Sequence, residues 1–318
     1  EVDSTTATTG SLIMLTDLML RHPPQPVRRL EDLGPMNPLV LLSRAHIARP
    51  DDFELAFWLA MVQTGLRTKN LRPQNFDQIA TYEAARALRP ENAAVWVNMG
   101  QELRERGDVE EALVCFQRAI DLDRTSAIAH FNLGGLLMSS GKHEPAMASY
   151  RDAIARSPQF AEAHVNLGII LSSQGKFQEA IKCYRAALAA NSQLREAHFN
   201  MGVAWADLGQ VDKSIECYQA ALKIDPQDAN CHNNLGNALR RKGQAKESVA
   251  CFEKAIEFNP GLAVAHSNLG EVWIQLGNLD KGIACLDRAV VLDPQLSSAN
   301  RNLGIALYVR KNGVEALH

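Results

Sequence analysis

The chain has 318 residues, 46% of them apolar, with six cysteines and a formal net charge of −3. That balance supplies no positive field to hold a nucleic-acid backbone, and no uninterrupted apolar run reaches the roughly 18 residues of a membrane span. A single core rarely organises more than roughly 250–300 residues, so this length suits an elongated array whose segments touch only their neighbours.

Residues 1–52 contain a short helical pattern (Leu12, Leu15, Leu18, Met19), a breaker His22-Pro23-Pro24-Gln25-Pro26, and a second apolar run over 39–47. The first run is short and carries Asp17, so it reads as an amphipathic helix and not as a signal core. This region is expected to cap the open end of the array, and the expected location is the cytosol or the nucleus. Residues 53–92 read as a divergent repeat. Tyr82, Ala85 and Pro90 fall in register, while a helix around Trp58 is displaced by an insertion near 66–73.

From Ala93 onward a glycine recurs every 34 residues, at Gly100, Gly134, Gly168, Gly202, Gly236, Gly270 and Gly304. Counting Ala93 as the first place, this is place eight, and alanine fills places 20 and 27 in units such as those with Ala146 and Ala153 or Ala180 and Ala187. Small residues at these places let two helices cross closely. Phe116, Tyr150, Tyr184, Tyr218, Phe252 and Leu286 at place 24 fill the space left over, and burying such a ring contributes roughly 1.5–3 kcal/mol. A second glycine at place 15 (Gly107, Gly141, Gly175, Gly209, Gly243, Gly277) suits the left-handed residue past a helix end. Pro158, Pro226, Pro260 and Pro294 stop the second helix, with Arg124 and Ser192 in their place in two units. The pattern predicts seven helical hairpins over 93–318, the last cut barely into its second helix, and so a fragment of a longer protein.

These residues resemble the tetratricopeptide repeat family. The resemblance implies an all-α, right-handed superhelical solenoid of antiparallel helix pairs whose first helices line a concave surface. Cys115, Cys183, Cys217, Cys251 and Cys285 all hold place 23. Equivalent atoms of successive hairpins lie roughly 8–10 Å apart, beyond the roughly 7 Å limit for a disulfide, so these read as core residues. His130, His164, His198, His232 and His266 share place four, where the first unit has Trp96. They are too far apart to share an ion and read as half-buried packing residues. No metal site, cofactor or catalytic motif is expected; neither HExxH nor GxSxG occurs.

Function is therefore expected on the concave face. Asn98, Asn132, Asn166, Asn200, Asn234, Asn268 and Asn302 hold place six in all seven units. Asparagine costs a helix roughly 0.5 kcal/mol or more relative to alanine, yet its carboxamide both donates and accepts, which matches a peptide backbone. With roughly 10 Å between units and roughly 3.3 Å per extended residue, one asparagine would meet about every third ligand residue. Shared ancestry or a structural inter-repeat role are the alternatives. Against ancestry alone, place five (Val97, Phe131, Val165, Phe199, Asn233, Ser267, Arg301) and place nine (Gln101, Gly135, Ile169, Val203, Asn237, Glu271, Ile305) have diverged. Phe131, Met138, Ile169, Phe199 and Val203 form an expected apolar stretch. Asn233, Asn237, Arg240 and Arg241 form a polar, basic one, unless Arg240, Arg241 and Lys242 are only a solvated helix end. A ligand with apolar residues followed by acidic ones would match both stretches.

The ladder, with His-x-Asn-Leu-Gly at 164–168, 232–236 and 266–270, is similar to the repeat array of O-linked N-acetylglucosamine transferases. That resemblance implies asparagines that hold a substrate polypeptide ahead of a glycosyltransferase domain, of which no catalytic residue lies in this chain. A chaperone-tail clamp is disfavoured, because no lysine holds place two or five. The expected function is a protein-interaction scaffold for an extended peptide. The alternative is the substrate-recruiting arm of such a transferase, and self-association stays open.

Overall fold

The computed structural model describes residues 78–315, together with Asp52, Ala56 and Leu59. The expected helical pattern at 12–19, the apolar run at 39–47 and the insertion near 66–73 lie outside the described residues. The chain divides into two compact units, residues 1–158 and 159–318, and the boundary coincides with the end of a repeat at Pro158.

The first unit holds α1 (Gln78–Leu88), α2 (Ala93–Arg106), α3 (Val109–Leu122), α4 (Ala127–Ser139) and α5 (His143–Arg156). Helices α2 and α3 form one hairpin and α4 and α5 the next, while α1 packs on α2 and α3 on α4. Helix α1 falls where the sequence places the second helix of a divergent repeat. Its Tyr82 is fully buried with Met99, Leu103 and Phe116, and its Ala85 lies against Ala56 and Val95.

The second unit holds α6 (Ala161–Ser173), α7 (Phe177–Ala190), α8 (Arg195–Asp207), α9 (Val211–Ile224), α10 (Ala229–Arg241), α11 (Ala245–Phe258), α12 (Ala263–Gln275), α13 (Leu279–Leu292) and α14 (Ser297–Glu315). Four complete hairpins stack in series, and α14 packs on α13. Each unit is thus an all-α run of stacked helical hairpins.

The turn glycines do what their spacing predicts. Gly107 has φ 94°, its N–H donates to the Arg104 carbonyl at 3.1 Å, and the Asp108 N–H donates to the Leu103 carbonyl at 2.9 Å. These two bonds satisfy carbonyls left over at the helix end. The five equivalent glycines have φ between 72° and 84°. At the other end of each hairpin, Asp123, Asn191, Asp225, Asn259 and Asp293 at place 31 accept from the backbone N–H two residues on, at 2.9–3.1 Å. This turn closes the second helix and was a signal available in the sequence.

The crossing glycines are sterically required. A Cβ on Gly168 would lie 2.5 Å from the Tyr184 ring, on Gly100 2.7 Å from Phe116, and on Gly236 2.7 Å from Phe252. All six complete hairpins repeat this contact. The seventh unit departs from expectation. Its place 15 is Lys311, so nothing favours the left-handed turn, and α14 runs unbroken to Glu315, the last described residue. Gly304 accordingly has nothing within 4 Å of its Cβ position.

Candidate binding face of the first helices

Within each unit, successive first helices approach one another: α2 with α4, α6 with α8, α8 with α10, α10 with α12 and α12 with α14. Successive second helices make no comparable approach among the described residues. Places five, six, nine and twelve of the first helices therefore meet across repeats. Helix periodicity sets places five, nine and twelve along one stripe.

In the first unit, Asn98 is half-buried and Asn132 is 3% exposed. Gln101 Nε2 donates to Asn132 Oδ1 at 3.3 Å, while Asn132 Nδ2 has no partner. Phe131 is half-buried, with its ring 5.8 Å from that of Tyr150. Sequence reasoning missed Arg104. A Cβ on Gly135 would lie 3.2 Å from the Arg104 guanidinium, so place twelve of one repeat overhangs place nine of the next. Because Gly135 has no side chain, Arg104 meets no acid there.

In the second unit, Asn166, Asn200, Asn234, Asn268 and Asn302 are all half-buried. Asn233 ties two hairpins together. It donates to Asn234 Oδ1 at 3.4 Å and accepts from Asn268 Nδ2 at 2.9 Å. Asn268 thus has one hydrogen bond within the array, which is a structural inter-repeat role at this position. Phe199 is half-buried, 6.0 Å from the Tyr218 ring, and packs with Val203 against Ile215 and Leu235. Asn237 is half-buried.

The basic stretch has partners within the array, the first of them through the same overhang that places Arg104 beside Gly135. Arg240 at place twelve meets Glu271 at place nine of the next repeat, at 2.5 Å. Arg241 donates to the Ala206 carbonyl at 3.0 Å, and Lys242 pairs with Asp212 at 2.7 Å. These cations are neither a free basic patch nor a purely solvated helix end. The partners lie more than 28 residues away in sequence, and only the register between places twelve and nine would have revealed the first pair.

Place four turns out to be a clamp. His198, His232 and His266 donate Nε2–H to the carbonyls of Ser192, Pro226 and Pro260 at 3.2, 2.9 and 3.1 Å. Trp96 Nε1 does the same to Pro90 at 2.8 Å and Asn300 Nδ2 to Pro294 at 2.9 Å. These residue types share an N–H donor, which periodicity alone did not make evident. The six cysteines are free, and no described helix is long and apolar enough to cross a membrane.

Known families and structures share this register. A family model described as TPR repeat matches residues 100–138, 135–175, 206–243 and 236–277. Two described as tetratricopeptide repeat match 161–194 and 263–296, so the matches span more than half the chain. No curated protein matches it. Among solved structures, YrrB, a TPR protein with an unusual peptide-binding site, is 25% identical with a TM-score of 0.52. The match covers 58% of this chain and 96% of YrrB. The APC/C hetero-tetramer Cut9-Hcn1 is 18% identical with a TM-score of 0.62, over 88% of this chain and 53% of that one. PilF of Pseudomonas aeruginosa is 17% identical with a TM-score of 0.60, over 67% and 97%. The last two show a shared fold alone.

Proposed function

We propose that this chain, which belongs to the tetratricopeptide repeat family, is a non-catalytic scaffold that binds an extended polypeptide along the face of its first helices. The observation that carries this reading is the retention of asparagine at place six in all seven units while places five and nine diverge. A carboxamide carries both donors and an acceptor, which match a peptide main chain, and Asn132 Nδ2 has no partner within the array. Arg104 supplies the cation for an acidic ligand residue, in place of the Arg240 and Arg241 pair. YrrB, similar to this chain over most of its own length, has a peptide-binding site, which supports the same use of the repeat here.

The test is a peptide selected on the intact chain and titrated against the triple variant Asn166→Ala, Asn200→Ala, Asn234→Ala. Binding should weaken by roughly 1–4 kcal/mol, at roughly 0.5–1.5 kcal/mol per hydrogen bond. Unchanged affinity with unchanged helicity would remove the ladder from recognition. A second reading, the substrate-recruiting arm of an O-linked N-acetylglucosamine transferase, is favoured by the His-x-Asn-Leu-Gly segments around Asn166, Asn234 and Asn268. Transfer of N-acetylglucosamine to the selected peptide by the full-length protein would distinguish it from an adaptor.

A further inference from the structure

The second unit carries a cleft of about 420 Å³ between its second helices, away from the asparagines. Its walls come from the end of α9 and the middle of α11, and its floor from α10. The floor and sides are apolar, with Leu222, Leu235 and Cys251, while the charged side chains lining it are Lys223 and Lys254; no carboxylate lines it. A volume of this size is enough for one large side chain and its neighbours, since specific pockets begin at roughly 300 Å³.

The repeat makes the cleft's charge informative. Lys223 holds place 29 and Lys254 place 26 of the following unit. One register earlier the same two places are Ala189 and Ala220, and one register later they are Glu257 and Arg288. Only α9 and α11 present two cations and no acid there.

The wall is also held in shape before anything binds. His232 lines the cleft and is 6% exposed. Its Nε2 is fixed on the Pro226 carbonyl and its ring stacks on Phe258 at 5.6 Å. With Nε2 donating, Nδ1 of the neutral ring is an acceptor, and it is buried with no partner.

We propose that this cleft is a second docking site, which takes a bulky apolar side chain of a partner polypeptide flanked by carboxylates. An open trough between two helices suits a side chain presented on another chain, and the apolar floor drives its burial. The two lysines select acidic neighbours, an attraction that salt screens. The site is independent of the asparagine face, so one chain can hold two partners, or two segments of one partner.

Cys251 is a built-in reporter: it lines the cleft and is half-buried, as are Cys183 and Cys285 elsewhere. Per-cysteine iodoacetamide labelling, read by mass spectrometry, is run with an array of about 15-residue peptides. Each peptide centres Leu, Ile or Phe between Asp or Glu residues, and a matched set carries Lys in place of the acids. Acidic peptides should slow labelling of Cys251 severalfold and leave Cys285 unchanged. Lys223→Glu and Lys254→Glu should each lower affinity by about two- to fivefold, since exposed pairs contribute modestly. Ala250→Phe, at an exposed cleft position, should abolish protection with thermal unfolding unchanged. The triple asparagine variant should keep it, which separates this site from the first-helix face. Equal protection by the Lys-bearing peptides overturns the proposal, as does indifference to both charge reversals. Absence of protection at about 1 mM peptide overturns it as well. A concentration-dependent dimer lost in Ala250→Phe would assign the cleft to a second copy of the chain instead.

Discussion

The two sides of the first helices repeat with equal fidelity but for different reasons. On the side facing the second helix, each place-eight glycine of a complete hairpin lies under a place-24 side chain, with 2.5–2.8 Å left for a Cβ. On the side facing the next first helix, the place-six asparagines do not share one environment. Asn132 is closed off under Gln101, Asn268 is bonded to Asn233, and the others are half-buried. Packing at crystal-like density leaves no latitude to the glycine. The asparagines differ from unit to unit in burial and hydrogen-bond partner, whereas the glycines share one steric contact.

The sharpest way to break this contrast is to alter the crossing. Tyr184→Ala, which empties a fully packed site, should cost about 3–5 kcal/mol, read from urea unfolding followed by far-UV circular dichroism. Gly168→Ala should cost about 1–3 kcal/mol, because the ring must move aside. Together the two changes should cost less than their sum, since removing the ring makes room for the methyl. Strict additivity would mean that the close approach is not what holds glycine at place eight. The same Ala at Gly304, where the Cβ meets nothing, should stabilise α14 by about 0.5–1 kcal/mol. A loss there would show that the two glycines are not distinguished by their surroundings.

Much of the fold was legible because the period carries both composition and geometry. The turn glycines and the crossing glycines each announce a single backbone requirement. The candidate face was legible in outline, through the asparagines, but its electrostatics were not. Arg240 and Arg241 read as a basic patch because a linear sequence does not show that place twelve overhangs place nine of the next unit. That one offset assigns Glu271 to Arg240 and leaves Arg104 beside Gly135. The seventh unit was misjudged because Gly304 kept the rhythm while Lys311 broke it. A helix stops for its turn residue, not for its place in a count.

Place four lies between the two regimes, since its side chain varies while the same bond recurs at Trp96, His198, His232, His266 and Asn300, with His130 Nε2 left unpaired. His232→Ala should cost about 0.5–1.5 kcal/mol through the lost bond to the Pro226 carbonyl. His232→Asn should recover part of this loss, as Asn300 makes the equivalent bond at 2.9 Å. If Asn recovers nothing, the imidazole acts there by packing, including its stack on Phe258, and not as a donor.

The smallest expected effect is one of pH and concerns the same place in the repeat, at His130. This residue is 7% exposed, and burial, then the Arg156 guanidinium, push its pKa below the ordinary 6.5. The Asp152 carboxylate, 3.9 Å from Nδ1, pulls the other way without prevailing. As pH falls below 6.5, the unfolded chain takes up a proton that the folded chain refuses, so stability falls. Well above 6.5 both states are neutral at this residue and its contribution is constant. His130→Asn keeps a donor at place four and removes the titration, so the variant should lose less stability than the parent between pH 7 and pH 5. Parallel curves across that window would show that His130 is protonated equally in both states and that its burial has no electrostatic consequence.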